Sequence, residues 1–95
     1  MQKLKKPGAA HAAQQCQEMG LSVGDTIFGR EVTGLEGWAE VKLTIKFIGA
    51  RVVVCDVMRR TRLSPPWKPD GESANWTLNC RDWYREAPGL AETAG

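Results

Sequence analysis

The sequence predicts a mainly β domain, and three observations carry that prediction. Val41, Leu43, Ile45 and Phe47 alternate with Lys42, Thr44 and Lys46, the period of two of a strand with one buried and one wet face. Gly49-Ala50 separates this run from Arg51 to Met58, which holds four valines, so the two form an antiparallel hairpin. Only one stretch, Ala9 to Met19, is rich in the alanine, glutamine and glutamate that favour helix. The expected architecture is a small, strongly bent antiparallel sheet or SH3-like partly open barrel of about four to five strands, with a short N-terminal helix. An open sheet with the helix across one face is the other arrangement.

The elements follow in chain order. Met1 to Gly8 reads as a flexible basic lead, residues 9–86 as a single small domain, and residues 87–95 as a disordered small-residue tail. Within the domain, the helix covers 9–19 and ends at Gly20, a natural left-handed cap. Ala12, Cys16 and Met19 fall at i, i+4 and i+7 and form its buried face. Met19 also reads as an alternative start, which would make residues 1–18 dispensable. Leu21 to Asp25 leads in through a Val-Gly-Asp turn, and Val23-Gly24-Asp25-Thr26-Ile27 fits the start of an SH3-like barrel. Thr26 to Val32 is a first strand, Thr33 to Trp38 a loop, and Ala39 to Ile48 the second strand.

A carboxylate decides the hairpin register. A two-residue Gly49-Ala50 loop pairs Leu43 with Asp56 and puts the acid on the apolar face. A three-residue loop pairs Phe47 with Val53, Ile45 with Cys55 and Leu43 with Val57. It also sets Asp56 opposite Thr44, between Lys42 and Lys46. Burying an unpaired carboxylate costs several kcal/mol, more than any turn preference, so the three-residue loop is favoured. Gly49 in first place suits a two-residue type II′ turn instead, and a longer loop or a bulge reconciles the two. Thr61 to Glu72, with Pro65-Pro66, Pro69 and Gly71, reads as a loop. Asn75 to Cys80 reads as a last strand with Trp76, Leu78 and Cys80 on one face, and Arg81 to Arg85 as a closing helical turn.

Composition removes several function classes. The chain has 95 residues, 42% apolar and 25% charged, so it holds one ordinary globular core and no second. No apolar run approaches the ~20 residues of a membrane span, and no secretory core follows the leading lysines. A cytoplasmic protein without membrane association is expected. Residues 1–18 carry three lysines against one glutamate and so supply the whole net charge of +2. The remainder is neutral but polarised: acids dominate Glu18 to Glu40 and bases dominate Arg59 to Arg85. Three cysteines, Cys16, Cys55 and Cys80, and the single His11 form no metal-ligand spacing. Neither a metal nor a cofactor is expected, and Cys55 and Cys80 read as small buried apolar residues. His11 falls in the helix facing solvent. No nucleophile–base pair or phosphate loop is evident, so no enzymatic activity is expected.

The aromatic residues are more informative. Trp76 and Trp83 read as core, and Trp38 as the cover of one barrel end. Trp67 lies in Ser64-Pro65-Pro66-Trp67-Lys68-Pro69, where prolines stiffen the loop and can present an indole at low entropic cost. It either folds back as a lid over the barrel mouth or contacts a partner. Arg59-Arg60-Thr61-Arg62 precedes it, and alternation puts Arg60 and Arg62 on one side. The bland reading pairs these arginines with Asp70, Glu72 or Asp82. The functional one makes Trp67, Arg60, Arg62 and Lys68 a partner-binding surface.

Gly20-Leu21-Ser22-Val23-Gly24-Asp25-Thr26-Ile27, Leu43-Thr44-Ile45 with Phe47-Ile48-Gly49, and Gly71-Glu72-Ser73-Ala74-Asn75-Trp76-Thr77-Leu78 with Cys80-Arg81-Asp82-Trp83 resemble a family of small uncharacterised phage and prophage proteins, assigned to a domain of unknown function. The resemblance covers about two-thirds of the chain, from Gly20 to Trp83. It implies an accessory phage product acting inside a bacterial host and brings no established activity or site. The expected function is a small binding module that modulates a host or phage protein. The alternative is a small nucleic-acid-binding barrel using the same bases and the lysine lead; the neutral charge of residues 19–95 favours protein. Edge strands also allow a homo-oligomer.

Overall fold

In the computed structural model, residues 3–33, 37–74 and 78–86 are described. They form one helix, α1 (Ala12–Met19), and five strands: β1 (Thr26–Thr33), β2 (Gly37–Ile48), β3 (Val53–Thr61), β4 (Lys68–Ala74) and β5 (Trp83–Tyr84). The strands make a single antiparallel sheet in the order β4-β3-β2-β1-β5. The mainly β class and the short helix are as expected. The sheet is open, with β4 and β5 at opposite edges, so the open-sheet arrangement is the one adopted. The core lies on one face, where Ala12, Cys16, Met19 and Leu21 meet Ile27, Val41, Leu43, Ile45, Val53, Cys55 and Val57.

Helix α1 starts at Ala12 rather than Ala9 because His11 is its N-cap. His11 has extended backbone angles, and its Nδ1 accepts a hydrogen bond from the Gln14 N–H at 3.2 Å. The helical, solvent-facing position expected for His11 is thus corrected: it is half-buried and sits outside the helix. The C-terminus closes as expected. Gly20 adopts φ 72°, its N–H donates to the Gln17 carbonyl, and the Leu21 N–H donates to the Cys16 carbonyl, a Schellman ending. Ala12, Cys16 and Met19 are all buried.

Leu43 pairs with Val57, Thr44 with Asp56 and Ile45 with Cys55, the register set by keeping Asp56 off the core. Past Ile45 a bulge shifts the ladder, so that Phe47 pairs with Val54 and Ile48 with Val53. The connection is therefore Gly49 to Val52, closed by the Gly49 N–H donating to the Val52 carbonyl. The extra residue reverses the alternation, and Phe47, expected in the core opposite Val53, is 54% exposed.

Four further expectations are corrected. The stretch Thr61 to Glu72 is not all loop, because β4 begins at Lys68 and pairs with the outer edge of β3. Its residues have low β propensity, but Pro69 is tolerated on an edge strand. Ion pairs Arg59–Asp70 and Lys46–Glu72 hold it in place. Leu78 to Cys80 is bent chain rather than strand. The Leu78 N–H donates to the Gln15 side chain and its carbonyl accepts from the Trp83 indole, so side chains take the bonds a ladder would need. Cys80 is exposed, not buried. Trp76 and the tail from residue 87 lie outside the described residues, as does the centre of the expected 33–38 loop, whose ends belong to β1 and β2. The expected helical turn over Arg81–Arg85 is instead β5, which pairs with Phe28 and Gly29. Gly29 is required there: a Cβ would lie 2.9 Å from the Trp83 ring.

Described residues of the lead bond to the rest of the domain. The Leu4 N–H donates to the Trp83 carbonyl, Lys3 bridges Tyr84, and the Gly8 carbonyl accepts from the Gln15 amide. Ala12, Ala13 and Cys16 of α1 belong to the core, so a chain begun at Met19 would lack these contacts.

Gln15 is 1% exposed, and Gln15→Met leaves the buried Leu78 N–H without its acceptor. The expected loss is about 1–3 kcal/mol, measured by urea unfolding; a change near zero would show that the bond contributes nothing. A second outcome concerns the thiols. Burial pushes Cys55 up from 9.0 to about 11, with Cys16 and Asp56 adding, and burial also raises Cys16. The unfolded chain ionises first. Stability is therefore full below pH 9.0 and falls as pH rises toward about 11. Lys46, raised by Glu72 and Asp56, adds a loss only above 10.5. Urea midpoints between these pH values should fall for the parent chain and fall less for Cys55→Ala.

Candidate functional site

The face of the sheet opposite the core is ordered in rows, because residues paired across antiparallel strands share a face. Near one end, Thr26, Thr44, Asp56 and Glu72 stand side by side across β1 to β4. The Thr26 and Thr44 hydroxyls are 3.1 Å apart, and Lys46 pairs with both acids. The next row is Tyr84, Phe28, Lys42, Met58 and Pro69, one residue from every strand. Beyond it come Arg30, Glu40 and Arg60.

The Arg30–Glu40–Arg60 row fixes the geometry. Glu40 is fully buried. Arg60 directs Nε and a terminal nitrogen at Glu40 Oε1, at 2.7 and 2.6 Å, and its side chain is only 14% exposed. Arg30 approaches Oε2 at 3.6 Å. Removing a carboxylate from water is costly, and two guanidinium groups offset that cost only while the set is complete. The paired, immobile Arg60 then serves as a floor for Trp67, its guanidinium carbon 4.3 Å from the indole centroid. Trp67 also meets Phe28, ring centroids 5.9 Å apart at 50°. The Lys42 ammonium lies over both rings, at 5.9 Å from Phe28 and 5.8 Å from Trp67.

Trp67 thus neither enters the core nor stands free. It is half-buried and lies on the second face of the sheet. The structure brings Arg60 and Trp67 into contact. Lys68, exposed at the start of β4, lines a groove of about 380 Å³ with Arg59, Arg60, Thr61, Ser64 and Asp70. Arg62 is exposed and lines neither feature. Of the acids expected to neutralise the arginines, Asp70 takes Arg59, but Arg60 takes Glu40 from the neighbouring strand.

Phe28, Lys42 and Glu40 were not among the site residues predicted from sequence. The signal for two of them was present. The hairpin register that pairs Thr44 with Asp56 also pairs Lys42 with Met58 and Glu40 with Arg60 when carried four residues further. Phe28 gave no such signal, since its place depends on the β1–β2 register.

Among the described residues, no three His, Cys, Asp or Glu side chains are grouped to hold a metal ion, and no helix is long and apolar enough to cross a membrane.

Glu40→Ala should cost about 3–5 kcal/mol, because it strands Arg60 without a carboxylate in a dry site. Urea unfolding checks this, and a loss under about 1 kcal/mol would show that the ion set is no anchor.

No curated protein and no solved structure matches the chain. Residues 10–88, most of the sequence and every strand described above, match the family Domain of unknown function (DUF7241), and the chain belongs to that family.

Proposed function

We propose that this domain is a small non-enzymatic binding module that modulates a host or phage protein, an accessory phage product acting in the cytoplasm of a bacterial host. The phage setting rests on the resemblance carried by residues 20–83. The binding role rests on one observation: Trp67 is laid over an open sheet face on a fixed arginine, beside Phe28 and Lys42. Rigid aromatic side chains with arginine are the anchors most used in protein interfaces. Holding the indole in place before binding lowers the entropy lost on docking.

The pairing of the cations favours protein over nucleic acid. Lys3, Lys46, Arg59, Arg60 and Arg85 all have carboxylate partners, and nucleic-acid binding draws on cations free to displace the counterions of phosphates. One face of the indole is already covered by Arg60, which leaves at most one face for stacking on a base.

An affinity pull-down from host lysate, with and without nuclease and at two salt concentrations, tests the reading. Capture of a stoichiometric protein that survives both treatments is expected, and Trp67→Ala should abolish it while costing about 1 kcal/mol or less of stability. Recovery of only nuclease- and salt-sensitive material would replace the proposal with the nucleic-acid one. Large unfolding of Trp67→Ala would make the indole a structural element.

A further inference from the structure

The middle row of the second face specifies more than a generic partner. Tyr84, Phe28, Lys42 and Met58 are all half-buried, and Pro69 is exposed at the β4 edge. Four inter-strand spacings make this strip about 19 Å long, enough for roughly six residues of extended chain at about 3.3 Å each. Its composition is aromatic and apolar except at the centre, where Lys42 stands. The charges on either side are already paired: Lys46 serves Asp56 and Glu72, one negative charge in excess, and Glu40 serves Arg60 and Arg30, one positive charge in excess. Lys42 differs from these charges. Among the described residues it makes no ion pair, and its ammonium lies over two ring faces. A half-buried ammonium over rings keeps part of its field unanswered, because ring quadrupoles stabilise a cation less than a carboxylate does. At the rim, Lys68 and Arg62 are exposed and likewise outside any ion pair among the described residues.

Building on the protein-binding reading above, we infer that this strip docks an acidic linear segment of a partner protein, with one carboxylate on Lys42 and apolar or aromatic side chains to either side along Phe28, Trp67 and Met58. The exposed cations Lys68 and Arg62 at the sheet edge beside the strip speed the approach of an acidic segment. A basic segment would meet Lys42 head-on, and a neutral one would cover the ammonium without replacing its water.

The test is selection from a random peptide library displayed on yeast, against the full chain. The selected peptides should share an Asp or Glu within a few residues of an aromatic or aliphatic side chain. A synthetic copy of the best one should bind Lys42→Gln about tenfold or more weakly, with urea unfolding confirming that the variant folds. Repeating the selection with Lys42→Glu should enrich Lys- or Arg-bearing peptides instead, an inversion that a purely structural lysine would not produce. Selected peptides that lack acids, or that bind Lys42→Gln equally well, overturn the acidic partner and leave the protein-binding module standing. Selection of no peptide, together with steeply salt-dependent binding of oligo-dT, overturns both. Selection of no peptide without oligo-dT binding overturns the strip as a docking surface.

Discussion

The amide of Gln15 holds the three parts of this domain together. It is buried in the face of α1, it donates to the Gly8 carbonyl of the lead, and it accepts from the Leu78 N–H of the segment before β5. Leu78 in turn offers its carbonyl to the Trp83 indole, and the Trp83 carbonyl accepts from Leu4. A helix with eight residues has little stability of its own, and a strand with two has less. Each is present because this chain of bonds gives the Gln15 amide, the Leu78 backbone and the Trp83 indole their partners. Gly29 completes the arrangement by giving the Trp83 ring room against β1.

The two faces of the sheet are built by different means. The core face is held by apolar burial, with Val41 and Leu43 at 0% exposure, and it tolerates no charge. The second face is held by matched charges at its flanks and by rings over cations at its centre. A small sheet with one helix has no second layer to bury an apolar face, so the face without a helix must be stable while partly wet. Half-buried side chains such as Phe28, Lys42 and Met58 are the consequence, and they give the face its capacity for a partner.

The hairpin was legible in the sequence because two constraints agreed: a period of two across Val41 to Ile45, and one acid, Asp56, that fits only the wet face. The helix was legible from Gly20 and the spacing of Ala12, Cys16 and Met19, though its start was hidden because histidine is an uncommon cap. Strand β4 was not legible. Lys68-Pro69-Asp70-Gly71-Glu72 carries turn chemistry, and only the exposed edge of β3 makes it a strand. Phe47 was misplaced by the single residue of a bulge, which alternation does not announce. For the site, the grouping of Trp67 with Arg60 came from their nearness in sequence. The role of Arg60 as a fixed floor depends on Glu40, which is reached only by carrying the hairpin register down the strand.

The lead and β5 clasp each other through Lys3, Leu4, Trp83 and Tyr84, so this contact joins residues made before the helix to the strand made after all the others. The β2–β3 hairpin closes over a short loop and can form while synthesis is still under way. The clasp cannot, since it closes a loop spanning nearly all of the described chain. Until the chain from Leu78 through β5 emerges, the Gln15 side-chain oxygen and the edge of β1 at Phe28 and Gly29 wait without their partners. The hairpin can therefore form while the β1 edge is still unsealed, and docking of β5 completes the sheet.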